Sequence, residues 1–211
     1  MSVVVSPGSW LCPPQWTGIV ELDGAILVTV PNADLIEPVR GAVLSQIGQA
    51  DVDLARLPLQ LSALDVLGPA TLAYLDGEEF AAADAHIEGE SVSADHPDVR
   101  TLVASVDEQD ADECGLDEIT SEAFVIRRGG RVLAAAGYRS WLNMVAHMSI
   151  LTAPGYRGRG LARLVASAAV ADALAKDLLP QWRARPEPSR RVARALGFRE
   201  LGSQINIHIR R

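Results

Sequence analysis

The stretch PGYRGRGLARLVASAAVADAL, residues 154–174, narrows the fold more than any other part of the chain. A turn rich in glycine and arginine opens directly into a long run of alanine, leucine and valine, and it follows a strand-like segment ending in SILT. Strand, glycine turn and helix N-terminus together make an anion site. The first backbone N–H groups of a helix have no internal partner, and the helix dipole places partial positive charge there. Gly158 and Gly160 let a phosphate approach the main chain closely. Arg157 and Arg159 add charge-assisted hydrogen bonds, and Ala162 keeps the first turn slim. There is no GxxxxGK followed by Ser or Thr, and Gly158-x-Gly160 is followed by Arg163 rather than a third glycine, so neither common nucleotide loop applies. Taken alone, RGRG also fits a helix whose first glycines and arginines are merely solvated.

The flanks place this turn in a strand-and-helix context. Residues 123–127 (AFVIR) and 131–138 (RVLAAAGY) read as two strands joined by a tight turn at Arg128-Gly129-Gly130, and 145–152 (VAHMSILT) as a third. The spacing predicts a helix over about 160–176, a strand over 178–185 (LLPQWRAR), a short helix over 189–196 and a last strand over 205–209. Upstream, 18–30 reads as a strand or hairpin with Asp23-Gly24 as its turn. Asn32-Ala33-Asp34 caps a helix over about 33–47, with Leu35, Val39, Val43 and Ile47 at helical spacing. Pro58, Gly68 and Pro69 break the next segment into short pieces, with a strand ending near Tyr74. Residues 102–106 read as a helix end or a short strand, and 107–119 as a linker or an exposed helix. Mixed strands and helices around an antiparallel hairpin predict an α/β (α+β) fold with a mixed, mostly antiparallel sheet and flanking helices. Two regions are expected: a divergent N-terminal half, 1–105, and a second region, 106–211.

Composition bounds the function. Hydrophobic residues at 48% and charged residues at 22% are those of an ordinary globular protein. The net charge of −8 is unevenly spread: residues 155–211 carry 12 Lys and Arg against 4 Asp and Glu, and residues 1–154 carry 7 against 23. Between Asp76 and Glu118 there are fifteen acidic residues and one basic one, Arg100. One basic, anion-binding end and one acidic end that favours a cationic partner is the sharper reading; two solvated faces is the plainer one. Overall acidity argues against nucleic acid as a partner. No run of about 18 apolar residues is present, so no membrane span is expected. The two cysteines, Cys12 and Cys114, lie far apart, which argues against a disulfide framework and against a metal cluster. The first residues lack a basic start and a long apolar core, so a soluble, cytoplasmic protein is expected.

Two motifs carry a resemblance. Arg157-Gly158-Arg159-Gly160-Leu161-Ala162 fits Gln/Arg-x-x-Gly-x-Gly/Ala at the junction of a strand and a helix, and the later helix ends in Leu196-Gly197-Phe198. In both respects residues 120–211 resemble the GNAT family of N-acetyltransferases; residues 1–100 carry no such likeness. The resemblance implies an acetyl-CoA site without metal. Arg157 to Ala162 would contact the pyrophosphate. Ile150, Leu151 and Thr152 would offer backbone to the pantetheine arm, in a cleft where that strand splays from LLPQWRAR. A backbone N–H of the strand would stabilise the oxyanion formed when an amine acceptor attacks the thioester directly. The departures are specific. The family's frequent asparagine falls here on Pro186, and its frequent tyrosine, the acid for the leaving thiolate, falls on Ala193. A catalytically degenerate acyl-CoA-binding or regulatory module is therefore the alternative, and a protein for another phosphate ligand is a third.

Amine attack requires a base. His147 is one candidate, since it lies on the strand expected to hold the thioester, with a packed histidine as the plainer reading. Alternation puts His147, Ser149 and Leu151 on one face and Met148, Ile150 and Thr152 on the other. Glu122 is a second candidate, otherwise surface charge. Tyr138 and Trp141 would wall the acceptor pocket or pack in the core. Trp182 reads as core, and Arg183 and Arg185 as solvent-facing or as reaching the CoA 3′-phosphate. Ser189 reads as the cap of the last helix, with a contact to CoA as its functional role. Trp10, Cys12 and Trp16 would pin a proline-broken arm to the body or to a second copy, which leaves a homodimer open. The acceptor itself has no motif; the N-terminal half, 1–105, would contribute to its site.

Overall fold

The computed structural model describes residues 1–46, 53–84 and 90–210. The chain divides into two compact units: residues 1–72 with 200–211, and residues 73–199.

In the first unit, β1 (Ser2–Val5) pairs in parallel with β3 (Ala25–Val30). β2 (Thr17–Leu22) and β3 form an antiparallel hairpin, turned at Asp23-Gly24 as the sequence suggests. β10 (Arg199–Ile209) runs antiparallel to β2, and β4 (Ala63–Tyr74) is its other neighbour. The predicted N-terminal helix begins as a 3₁₀ turn capped by the Asn32 side chain and continues as α1 (Ile36–Gln46), which buries Val39 and Val43. Ile47 lies outside the described residues. A short helix, α2 (Leu57–Gln60), adds Leu57 to the same core, where Ile19, Val28, Ile205 and Ile207 meet.

The second unit carries the motifs. β5 (Glu90–Val92) is followed by two short helices, α3 (Pro97–Val103) and α4 (Glu108–Cys114). Residues 102–106 thus close a helix rather than form a strand, and the acidic 107–119 segment holds a helix capped by Asp107. β6 (Ala123–Arg128) and β7 (Arg131–Trp141) form a hairpin about Gly129-Gly130, and β8 (Val145–Thr152) returns antiparallel to β7. A crossover helix, α5 (Leu161–Ala175), leads to β9 (Leu179–Ala184), which lies parallel to β8. α6 (Glu187–Ala195) then precedes β10. The strand order here is β9-β8-β7-β6-β5, antiparallel throughout except for β8 and β9.

Two cores sandwich these strands. α5 presents Val165, Ala166, Ala169, Val170 and Ala173 to Ala134, Ala136, Tyr138, Ala146 and Met148. Alanine on both surfaces lets the helix lie close to the strands, where larger side chains would hold them apart. On the opposite face α3 and the residues after α4 cover Ala135, Val125 and Leu151. Strand alternation therefore sorts β8: Met148 packs with the α5 core, and Leu151 packs with the α3 core. Trp182 is core, as expected, with Phe198 edge-on at 5.3 Å. The cap assigned to Ser189 is corrected. α6 starts at Glu187 with Pro186 before it and no side-chain cap, because proline is tolerated in a first helical turn. Ser189 sits within that turn, and its Oγ accepts from Trp182 Nε1 at 3.0 Å.

Candidate active site

β8 ends in a 3₁₀ turn, Pro154–Tyr156, and the chain reaches α5 through Arg157, Gly158, Arg159 and Gly160. Gly158 and Gly160 take left-handed backbone angles, with φ of 74° and 79°, which a Cβ would strain. A Cβ built at either would meet nothing within 4 Å, so open space lies over the backbone here. No side chain caps α5. Its first intrahelical bond runs from Leu164 N to Gly160 O, so the N–H groups of Leu161, Ala162 and Arg163 have no helical partner. The glycine turn therefore leaves amides without a helical partner at the start of a 15-residue helix.

The two arginines of the turn differ. Arg159 lies over the Tyr156 ring at 5.0 Å and donates to Gly155 O at 3.2 Å. Arg157 donates from Nε to Thr152 O at 3.3 Å and from Nη2 to Asp110 of α4 at 2.5 Å. Three residues along α4, Glu113 takes Arg185 in a two-pronged pair, at 3.2 and 2.9 Å. One helix of the acidic segment thus holds the arginines at the ends of both β8 and β9. The Thr152 hydroxyl beside this turn is buried and has no hydrogen-bond partner among the described residues.

β8 and β9 separate between these arginines and the closed end of their ladder. They pair in register from Val145–Leu179 through Ala146–Pro180 to His147–Gln181, and there the ladder stops. β8 nevertheless continues to Thr152 and β9 to Ala184. The splayed pair expected from the resemblance is present, and Ile150, Leu151 and Thr152 lie on its open arm.

His147 stands at the fork. Its Nδ1 is 2.9 Å from Gln181 Oε1, and because a carbonyl oxygen can only accept, Nδ1 carries the proton and Nε2 is left as the acceptor. Gln181 in turn donates from Nε2 to the Tyr74 hydroxyl at 2.8 Å. Trp141 stacks on the imidazole at 4.9 Å and 11°. Burial first, then the positive charge of Arg183 and of Arg139, pushes the imidazole pKa down to about 4 against the opposing pull of Gln181. The ring is therefore neutral near pH 7.

The remaining candidates scatter. Glu122 is exposed just before β6, and β7 separates β6 from β8, so it does not share the fork with His147. Tyr138 packs in the α5 core and donates to Asp172 at 2.6 Å, on the face opposite Trp141. Ser189 is held by Trp182. Ala193 is buried and offers no proton donor. Gln181, Tyr74, Asp110 and Glu113 were not singled out by sequence. Their partners stand 34, 107, 47 and 72 residues away, and no local pattern announces such pairs. Among the described residues no group of three or more His, Cys, Asp or Glu is placed to hold a metal ion, and no helix is long and apolar enough to cross a membrane.

Residues 122–203 match the family model of GNAT acetyltransferases. A GNAT-family protein from Novosphingobium aromaticivorans aligns with a TM-score of 0.55 at 25% identity, over 69% of this chain and 65% of that one, just under two thirds of its length. A GCN5-related N-acetyltransferase from Kribbella flavida aligns with a TM-score of 0.57 at 17% identity, over 82% and 72% of the two chains. A GNAT-family acetyltransferase from Colwellia psychrerythraea gives 0.53 at 14% identity, over 86% and 75%. The last two likenesses are of fold alone. No curated protein matches the chain. Residues 122–203 thus match the GNAT acetyltransferase family by sequence, and the fold is that of GNAT-family structures.

Proposed function

We propose that the protein is an acetyl-CoA-dependent N-acyltransferase that acts on an amine. One observation carries this: the uncapped α5 N-terminus with its left-handed glycines follows directly from a strand that parts from its neighbour just beyond a neutral histidine. A diphosphate fits the first feature and an extended arm the second. Acetyl-CoA supplies the activated acyl group as a thioester.

The chain's residues divide the work. The amides of Gly158 and of Leu161 to Arg163 grip the diphosphate, and Arg159 adds charge. Arg157 joins it once released from Asp110. The unpaired edge of β8 at Ile150 to Thr152 aligns the arm, and an N–H of that edge meets the developing oxyanion. The buried Thr152 hydroxyl gains a partner from the same ligand. His147 Nε2 accepts a proton from the incoming amine; with its pKa near 4 the proton passes on to water rather than resting on the ring. As the tetrahedral intermediate collapses the C–S bond breaks, and CoA leaves as a thiolate that takes its proton from water, since Ala193 has none to give. Glu122, outside the fork, would reach this proton only through water.

Gly160→Asp tests the anchor. Aspartate tolerates a left-handed backbone at a cost on the order of 1 kcal/mol, and open space receives its side chain, so the fold survives while a carboxylate occupies the anion site. Calorimetry should show CoA binding to the wild type, preferred over ADP, and none to the variant. Equal affinity in the two would place the anion site elsewhere. Thiol release from acetyl-CoA with a panel of amines reads the chemistry; tight binding with no release from any amine would favour a degenerate binding module.

A further inference from the structure

The fork has a polarity that points to the acceptor. Leu179, Gln181 and Arg183 alternate along one face of β9, and Val145 and His147 share that face on β8 through the in-register pairs. Trp141 joins them from β7 by stacking on His147. From the closed end of the ladder outward, the face is apolar at Trp141, Val145 and Leu179, neutral and polar at His147 and Gln181, and cationic at Arg183.

Arg183 is the unusual member. The other arginines of this face are matched: Arg139 with Glu118 at 2.6 Å, Arg185 with Glu113 at 2.9 Å, and Arg157 at the turn with Asp110 at 2.5 Å. Arg183 has no carboxylate within salt-bridge distance among the described residues, although Glu113 and Glu118 are near enough for their charge to be felt. The residue is exposed, and desolvation followed by the repulsion of Arg185 lowers its guanidinium pKa. Its charge also acts on the His147 imidazole. An arginine with no carboxylate in direct contact can take an anion. The turn at Gly158–Gly160 already offers its own amides and arginines to the cofactor phosphates, and Arg185, just past the end of β9, is taken by Glu113. The charge felt at His147 is therefore open to a ligand that reaches the imidazole.

We infer that the acceptor is a small amine bearing a carboxylate and an apolar group, its carboxylate paired with Arg183, its amine at His147 Nε2 and its apolar part against Trp141 and Leu179. Residues two apart on a strand lie about 7 Å from one another, a span that an α-amino acid and the flexible arginine stem can bridge. The same field disfavours a purely cationic amine: Arg183 and Arg139 repel an ammonium and favour the neutral nitrogen that attack requires, and the carboxylate compensates the zwitterion. This inference rests on the acyltransferase reading for its chemistry but not for its binding test.

The test is calorimetry of leucine and of leucinamide on the CoA-saturated protein, wild type, Arg183→Gln and Arg183→Lys. Leucine should bind at least about tenfold more tightly than leucinamide, the worth of one desolvated charge-assisted pair. Arg183→Gln should abolish the preference with CoA affinity unchanged, and Arg183→Lys should restore part of it. Equal binding of the two ligands, preference for leucinamide, or no binding of either overturns the proposal. So does a loss of CoA affinity in Arg183→Gln, which would assign the residue to the cofactor. Thiol release, measured separately on the same mixtures, reports on acyl transfer itself, so leucine binding without release would sink the enzymatic reading and leave the acceptor site standing.

Discussion

His147 makes stability depend on pH in a calculable way. Its pKa falls from an ordinary 6.5 to about 4 in the fold because the ring is buried and because Arg183 and Arg139 repel an imidazolium, while Gln181 only partly offsets them. At about 1.4 kcal/mol per pH unit, that depression is worth roughly 3 kcal/mol. The sign follows from where the protons sit. Above pH 6.5 the ring is neutral in both folded and unfolded chains, and it contributes nothing to the pH dependence. Between 6.5 and 4 the unfolded chain holds more protons than the native one, so stability falls as the pH falls. Below 4 both are protonated and the loss levels off. Urea unfolding of the wild type and of His147→Gln at pH values from about 7.5 to about 4 isolates this group, because the carboxylates and the other histidines are common to both proteins. The wild type should lose about 2–3 kcal/mol more than the variant across the window, the lower figure allowing for partial solvent access. The imidazole Cε1–H resonance should titrate near pH 4 in parallel. Superimposable stability curves, or a resonance that titrates near 6.5, would refute the burial and charge account and with it the neutral ring at the fork.

Gly197→Ala should destabilise the second unit severely. Gly197 has φ of 97°, and an added Cβ would lie 2.1 Å from the Glu79 carbonyl oxygen, so backbone must move; a loss of more than about 2 kcal/mol in a urea melt is expected. A change below about half a kcal/mol would mean that the Glu79 segment yields freely. Asp110→Asn should free Arg157 from α4. CoA affinity at low salt should rise several-fold, with stability altered by less than about 1 kcal/mol because the pair is solvent-exposed. Unchanged or weaker binding would show that Arg157 does not serve the anion turn.

The hairpin of β6 and β7, the strand β8 and the helix α5 were legible in the residues, because apolar periodicity and the Gly-Gly turn are local signals. So was the glycine turn into α5, because glycine permits the left-handed angles that Gly158 and Gly160 take. Ser189 misled because serine favours caps, whereas the helix had already begun at Glu187 with proline in its first turn. What no local pattern could supply was the fork. Its closed end at His147 and Gln181 is a matter of register between strands joined only through a helix. The face on which His147 looks out is set by which helices cover which side of the strands. The tautomer of its ring depends on Gln181, itself oriented by Tyr74 more than a hundred residues earlier. The match of Arg157 and Arg185 with two acids of α4, and the lack of such a partner for Arg183 among the described residues, likewise exist only after folding. Sequence determines what each segment can do by itself; pairing, burial and charge compensation belong to the assembled chain, because they are sums over neighbours that the linear order does not contain.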